Sequence, residues 1–264
     1  MRVGDRLGTL AEEYHAASRN LADFKCIFST YQVHYEPHVQ QMMREAPLHL
    51  PGRLRVALPS ERVRVTMSVD EAICQRVSGR DYVPTPVAAE QLASILYLGN
   101  AVRRIDGDSA ARSYQRNVPN SGNLGSVEVY PVIMNVSGIE PGIYHYDSVR
   151  HDLAQLKAGQ FASWLRESAL LQLEFSEAAV ALILTGAIGR LSAKYGLRGY
   201  RMALLDAGHV SENIYLAGTG LGLQVCATAG FIDDELDEAL GLDGLETAAL
   251  LVVLVGSRKM QTFQ

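Results

Sequence analysis

The longest unbroken apolar run in the chain, Ala248 to Val255, is only eight residues long. A bilayer takes roughly 20 such residues, so this run suits a strand buried on both faces and no membrane span. A second run of the same kind, Ala178 to Leu184, ends at Thr185-Gly186. Between the two lies the longest amphipathic stretch, 197 to 217, which places Tyr200, Leu204, Ala207, Val210, Ile214 and Ala217 on one side of a helix. Glycines Gly218, Gly220 and Gly222 follow that helix and precede a further strand, Leu223 to Ala227. A dinucleotide-binding turn needs the opposite order, strand then glycines then helix, so these glycines read as a helix C-terminus. Val127 to Val136 and the segment Pro141 to Asp147 (PGIYHYD) add two strands joined by a turn. Strands both adjacent and distant in sequence, with helices between, predict an α+β layer fold, not strict βαβ alternation.

Hydrophobic residues make up 48% of the 264 and charged residues 20%, the balance of a globular chain. With 29 acidic and 24 basic residues the formal charge is -5, which lacks the positive field that nucleic-acid binding requires. Cys26, Cys74 and Cys226 are too few and too scattered for a disulfide framework or a zinc site, and a reducing cytoplasm is the expected compartment. The first residues, MRVGDRLGTLAEEYH, have no apolar stretch of signal-peptide length.

Residues 8 to 23 have helical spacing, and residues 24 to 66, broken by Pro37, Pro47, Pro51 and Pro59, read as an irregular arm. The chain divides accordingly into a helix and arm, 1–66, and a main domain, 67–264. Ser68 with Glu71 three positions on forms a capping box for a short helix to Arg76. Val87 to Val102 is helical in spacing, 105 to 126 reads as a polar loop, 161 to 173 as a helix and Asp233 to Leu240 as an acidic helix.

Four groupings carry candidate chemistry. His34 and His38 have metal-ligand spacing, but Pro37 between them spoils a shared helix face, and no metal site is expected. Asp206 and His209 share a helix face without a nucleophile elbow, which points to a hydrogen-bonded core histidine. Arg76, Ser78 and Arg80 alternate, an arrangement that either brings two guanidinium forks and a hydroxyl to one side of an extended backbone, suited to a phosphate dianion, or leaves the arginines as solvated surface charges, the commoner case for such residues. Arg258, just past the last apolar run, is a second source of positive charge. Finally, Lys194, Tyr195, Arg198, Tyr200 and Arg201 crowd cations and phenols around Gly196 and Gly199, the inventory of a proton-transfer site or of a solvated loop-to-helix junction.

Taken in order, these pieces resemble the FMN-dependent nitroreductase superfamily from about Ser68 to Arg258, and within it the SagB-type dehydrogenases, or azoline oxidases. The resemblance implies a nitroreductase-like mixed sheet flanked by helices, with FMN at a homodimer interface. Arg76, Ser78 and Arg80 match the family's R-x-S-x-R element for the FMN phosphate and ribityl chain, and Arg258 its C-terminal phosphate contact. Pro119, Asn120, Ser121, Gly122 and Asn123 resemble the proline-serine-glycine loop that reaches the flavin from the partner subunit, with Asn120 where serine is common. Thr228, Ala229 and Gly230 resemble the segment that passes the flavin ring, with Ala229 where glycine is common. Lys194 and Tyr195 match the lysine-tyrosine pair of the SagB-type branch.

The function so implied is oxidation of a peptide thiazoline or oxazoline to an azole in the biosynthesis of a modified-peptide natural product, with a heterocyclised peptide as substrate and a cyclodehydratase complex as partner. Arg198 and Arg201 are expected to help lower the Lys194 pKa. The alternative on the same scaffold is an NAD(P)H-dependent nitro or quinone reductase. A non-catalytic flavin- or peptide-binding subunit is the reading from a different class, and the complete arginine set argues against it.

Overall fold

A computed structural model of the chain describes residues 3–19, 36–44, 47–107, 113–170 and 177–258. The first elements are α1 (Val3–Ala17), α2 (Pro37–Arg44), β1 (Arg55–Ala57), α3 (Val69–Gln75), β2 (Tyr82–Val83), β3 (Val87–Ala88) and α4 (Ala89–Asn100). Six strands follow: β4 (Val102–Asp106), β5 (Ser113–Arg116), β6 (Val127–Ile133), β7 (Val136–Ser137), β8 (Gly142–Asp147) and β9 (Asp152–Ala158). The rest is α5 (Ala162–Trp164), β10 (Val180–Ala187), α6 (Ile188–Tyr195), α7 (Arg198–Gly220), β11 (Leu223–Thr228), α8 (Asp233–Leu240) and β12 (Thr247–Arg258).

The two apolar runs pair with each other at the centre of the main sheet. Its order is β1-β9-β8-β6-β10-β12-β11, and β10 lies antiparallel between β6 and β12, with Leu182 opposite Val253 and Pro131. Every residue of β10 is buried. Val180, Leu182 and Leu184 face a layer that includes Leu92, Ile95 and Leu96 of α4 and Ala207, Val210 and Ile214 of α7. Ala181 and Ile183 face the opposite layer with Leu165 and with Leu236 and Leu240 of α8. Side-chain alternation thus loads both faces, each large aliphatic contributing about 1.5–3 kcal/mol on burial. The architecture is the α+β sheet flanked by helices that the strand pattern predicts.

Several segments differ from their sequence reading. The polar loop expected at 105 to 126 contains most of a hairpin, β4 with β5, and a helical turn at Ser121–Asn123. Tyr114 and Arg116 point inward while Ser113 and Gln115 lie half-exposed, an alternation that polar composition conceals. In the arm expected at 24 to 66, residues 20–35 lie outside the described residues, and so does His34 with the His34/His38 spacing. Pro37 opens α2 at a first-turn position, where its missing N–H has no partner to lose. β1 joins the sheet edge, and Arg55 donates to Asp147 (2.8 Å) and to Asp152 of β9. The helix expected at 161 to 173 is a single α turn that continues as a π turn to Ala169. Gly159 follows the end of strand β9, its N–H donating to the Pro141 carbonyl at 3.1 Å. Ser68 caps α3 as expected, its N–H meeting the Glu71 carboxylate at 3.0 Å.

The buried stripe of α7 runs through Ala203, Ala207, Val210, Ile214 and Ala217, whereas Tyr200 and Leu204 are exposed. Tyr200 instead meets Tyr14 of α1 edge to face at 5.7 Å. At the sharp corner from α6 into α7, a Cβ at Gly199 would stand 2.6 Å from the Ser192 nitrogen and 2.7 Å from the Leu191 carbonyl carbon. Backbone cannot give way as a side chain does. Gly199→Ala therefore forces the corner open, and a loss of about 1–3 kcal/mol in urea unfolding is expected; an unchanged midpoint would contradict this packing.

Candidate active site

The segment after α3 runs extended along the outer edge of β11. Ser78 bridges Val225 in parallel, and the Gly79 N–H donates to the Val225 carbonyl at 3.1 Å. The chain then crosses the end of β12, where β2 pairs Tyr82 with Arg258. Arg80 stands two residues before that pairing, its carbonyl accepting from the Tyr82 N–H. Arg76 packs its guanidinium over the Tyr215 ring, 5.5 Å from the centroid. The four residues Arg76, Ser78, Arg80 and Arg258, spread over more than 180 positions of sequence, thus meet at one corner of the sheet.

Tyr215 ties this corner to the end of β11. Its hydroxyl exchanges a 3.0 Å hydrogen bond with Ser78 Oγ and accepts the Ala227 N–H at 2.7 Å. Thr228, Ala229 and Gly230 come next, with Thr228 buried, Ala229 exposed and the Gly230 N–H donating to Thr228 Oγ1 at 2.9 Å.

A second grouping forms on the other flank of α7. Pro119 is exposed, and Asn120 to Asn123 are half-buried in a tight turn that Asn120 closes by accepting the Gly125 N–H at 2.9 Å. Asn123 donates to Ser113 Oγ at 2.8 Å, and Arg190 of α6 donates to the carbonyls of Leu124 and Gly125 at 3.0 Å each. Gly122 sits at φ +60° directly against the α6 C-terminus. A Cβ there would lie 2.8 Å from Lys194 Nζ and in collision with the Tyr195 hydroxyl, so any other residue has to displace these two side-chain ends from a left-handed turn that glycine adopts freely. The structure therefore brings the loop Pro119–Asn123 and the pair Lys194/Tyr195 together within one chain.

Lys194 is 6% exposed, and burial pulls its pKa below the ordinary lysine value. Its Nζ lies 5.3 Å from the Tyr195 ring centroid. Burial, and then the charge of Asp206, push the Tyr195 phenol above its ordinary value. Arg198 and Arg201, expected to act on Lys194, are turned to α1 instead and donate to the carbonyls of Ser18 and His15. Desolvation alone accounts for the lowered lysine.

Two residues of the site escape the sequence reading. Tyr215 lies on α7 among apolar neighbours and carries no motif. Asp206 was paired there with His209, yet His209 is exposed and is no core histidine. Asp206 is buried and accepts the Ser121 N–H (2.9 Å), the Ser121 hydroxyl (3.0 Å) and the Ser126 hydroxyl. The only sequence signal was polarity on a buried stripe. Among the described residues no group of histidines, cysteines and carboxylates is arranged to hold a metal ion.

The Nitroreductase family model matches residues 73–257. A protein of Methanocaldococcus jannaschii named for the same family is 29% identical over 192 residues, 73% of this chain and 92% of its own. The trifolitoxin-processing protein TfxB of Rhizobium leguminosarum bv. trifolii is 31% identical over 150 residues, and the microcin B17-processing protein McbC of Escherichia coli 28% over 164. These matches span 53% and 60% of this chain but only 39% and 59% of those two proteins. The E. coli microcin synthetase McbBCD complex, solved with truncated pro-MccB17, contains the same fold at TM-score 0.60, with 21% identity and coverage of 95% of this chain and 92% of that one. With a family match across most of its length and the layered sheet to go with it, the chain belongs to the nitroreductase family of oxidoreductases.

Proposed function

We propose that the protein is an FMN-dependent dehydrogenase that oxidises a thiazoline or oxazoline in a peptide to the azole. The observation that carries this reading is Lys194, a buried lysine held beside Tyr195 and the Gly122 turn. Similarity to two peptide-processing proteins supports the substrate class, and similarity to a chain of a synthetase complex supports a cyclodehydratase as partner.

The residues present fit FMN. An acidic chain must meet a phosphate dianion with local positive charge, and Arg76, Arg80 and Arg258 supply it beside the Ser78 hydroxyl. Ala229 and Gly230, small and next in line after β11, leave room for a flat ring. When bound, the flavin supplies the acceptor for the electron pair that leaves the azoline Cβ as hydride. The protein's part is the second hydrogen. Lys194, favoured by burial in its neutral amine form, takes the Cα proton, which the adjoining imine and carbonyl acidify. Tyr195 stays a neutral phenol and offers a hydrogen bond. Two electrons and two protons leave, and the ring becomes aromatic.

The arrangement along α7 supports a homodimer. Asp206, at the Lys194 grouping, and Tyr215, at the arginine corner, are nine residues apart, two and a half turns and about 13.5 Å along the axis. They stand on opposite flanks of a helix packed on the sheet, so a cofactor at one corner is walled off from the loop of its own chain. A second copy supplies the loop and the base to the first copy's cofactor, and the reverse.

Purified protein should be yellow and release a chromophore with the mass of FMN. Arg76→Ala and Arg258→Ala each remove charged hydrogen bonds to phosphate, and FMN affinity should fall about 10- to 100-fold in a fluorescence titration. Lys194→Ala should keep FMN yet lose about 10²- to 10⁴-fold in azoline oxidation, read as a two-dalton mass loss from a heterocyclised peptide. Because only the neutral amine accepts a proton, the wild-type rate should rise with pH and level off at a pH below the ordinary lysine value. Unchanged turnover in Lys194→Ala removes that residue from the reaction. Rapid flavin bleaching by NADPH, with none by the azoline, favours the reductase alternative.

A further inference from the structure

The buried stripe of α7 is made of alanine, valine and isoleucine, with Asp206 at its edge. An ionisable side chain 3% exposed is retained at a cost unless its oxygens are fully used. Here they are. Oδ2 accepts the Ser121 N–H and the Ser126 hydroxyl, and Oδ1 accepts the Ser121 hydroxyl. All three donors belong to the loop between β5 and β6, some 80 positions earlier in the chain. Ser121 adjoins Gly122, the residue in contact with Lys194 Nζ and the Tyr195 hydroxyl. A pull on Ser121 is therefore a pull on the turn that closes over both proton-handling groups.

We infer that Asp206 is a positioning residue for the Lys194/Tyr195 pair: it anchors the Gly122 turn through Ser121 and sets a fixed negative charge beside the Tyr195 phenol. The inference rests on the assignment of proton transfer to that pair. Among the described residues, Lys194 of its own helix and Asp206 of α7 are the charged groups seen to act at the phenol; Arg190 is engaged with the loop carbonyls of Leu124 and Gly125, and the buried Arg116 lines the same small cavity as Asp206. Burial first, and then the Asp206 carboxylate, oppose phenolate formation at Tyr195. Tyr195 is thereby kept a hydrogen-bond donor, and the role of base falls to Lys194.

The test uses the full chain and needs no substrate, so it fails separately from the Lys194→Ala turnover that tests the function. Each protein is titrated by ultraviolet phenolate absorbance against its Tyr195→Phe counterpart, so that only this phenol is read. Asp206→Asn, which keeps the shape but not the charge, should shift the Tyr195 titration to lower pH. It should also speed hydrogen exchange of the 119–124 loop on the order of tenfold, because the Ser121 N–H loses a charged acceptor. Ser121→Ala should loosen the loop but leave the phenol where it was. A folded Asp206→Asn protein whose Tyr195 titrates at the parental pH overturns the inference. If that variant does not fold, unchanged loop exchange in Ser121→Ala overturns it instead.

Discussion

Everything at the candidate site depends on how α7 lies against the sheet. Its stripe of small and branched residues packs on the face formed by Val180, Leu182, Leu184, Val253 and Val255, which fixes both its height and its rotation. With that rotation set, Tyr215 points to the Ser78 corner and Asp206 to the Ser121 loop. One rigid helix thus serves two clusters, one on each flank. A turn of even a few tens of degrees would break hydrogen bonds at both ends at once.

The polar groups on that stripe have different work from the apolar ones. Burial of alanine and isoleucine stabilises the layer without specifying a partner. A buried carboxylate or phenol, in contrast, costs free energy until each oxygen finds its donor, so it selects a single arrangement of the opposite loop or strand. Tyr215 joins three separate segments through one hydroxyl, and Asp206 holds the Ser121 turn through three hydrogen bonds. The same loop holds Gly122, whose lack of a side chain lets backbone approach a lysine that burial already favours in its neutral form.

Much of this was legible in sequence. The central strands, the capped helix before Arg76, the helix that ends in glycines and the acidic helix at Asp233 all carry local signatures: alternation, caps and breakers. The residues of the expected motifs fall into two structural groups. What escaped reading was polar structure stabilised from a distance. The hairpin of β4 and β5 hides in a polar composition, with Tyr114 and Arg116 buried by contacts far along the chain. Arg198 and Arg201, close to Lys194 in sequence, are carried away by the first turn of α7 to meet the end of α1.

Hydrophobic periodicity depends only on near neighbours, so the sequence alone determined which segments become strands and helices and which faces they bury. Only the tertiary structure decided that Asp206 serves Ser121 and not His209, and that Arg258 pairs with Tyr82 at the end of β12. A buried polar atom is satisfied by whatever donor the packing of remote elements delivers within about 3 Å, and no local spacing encodes that distance.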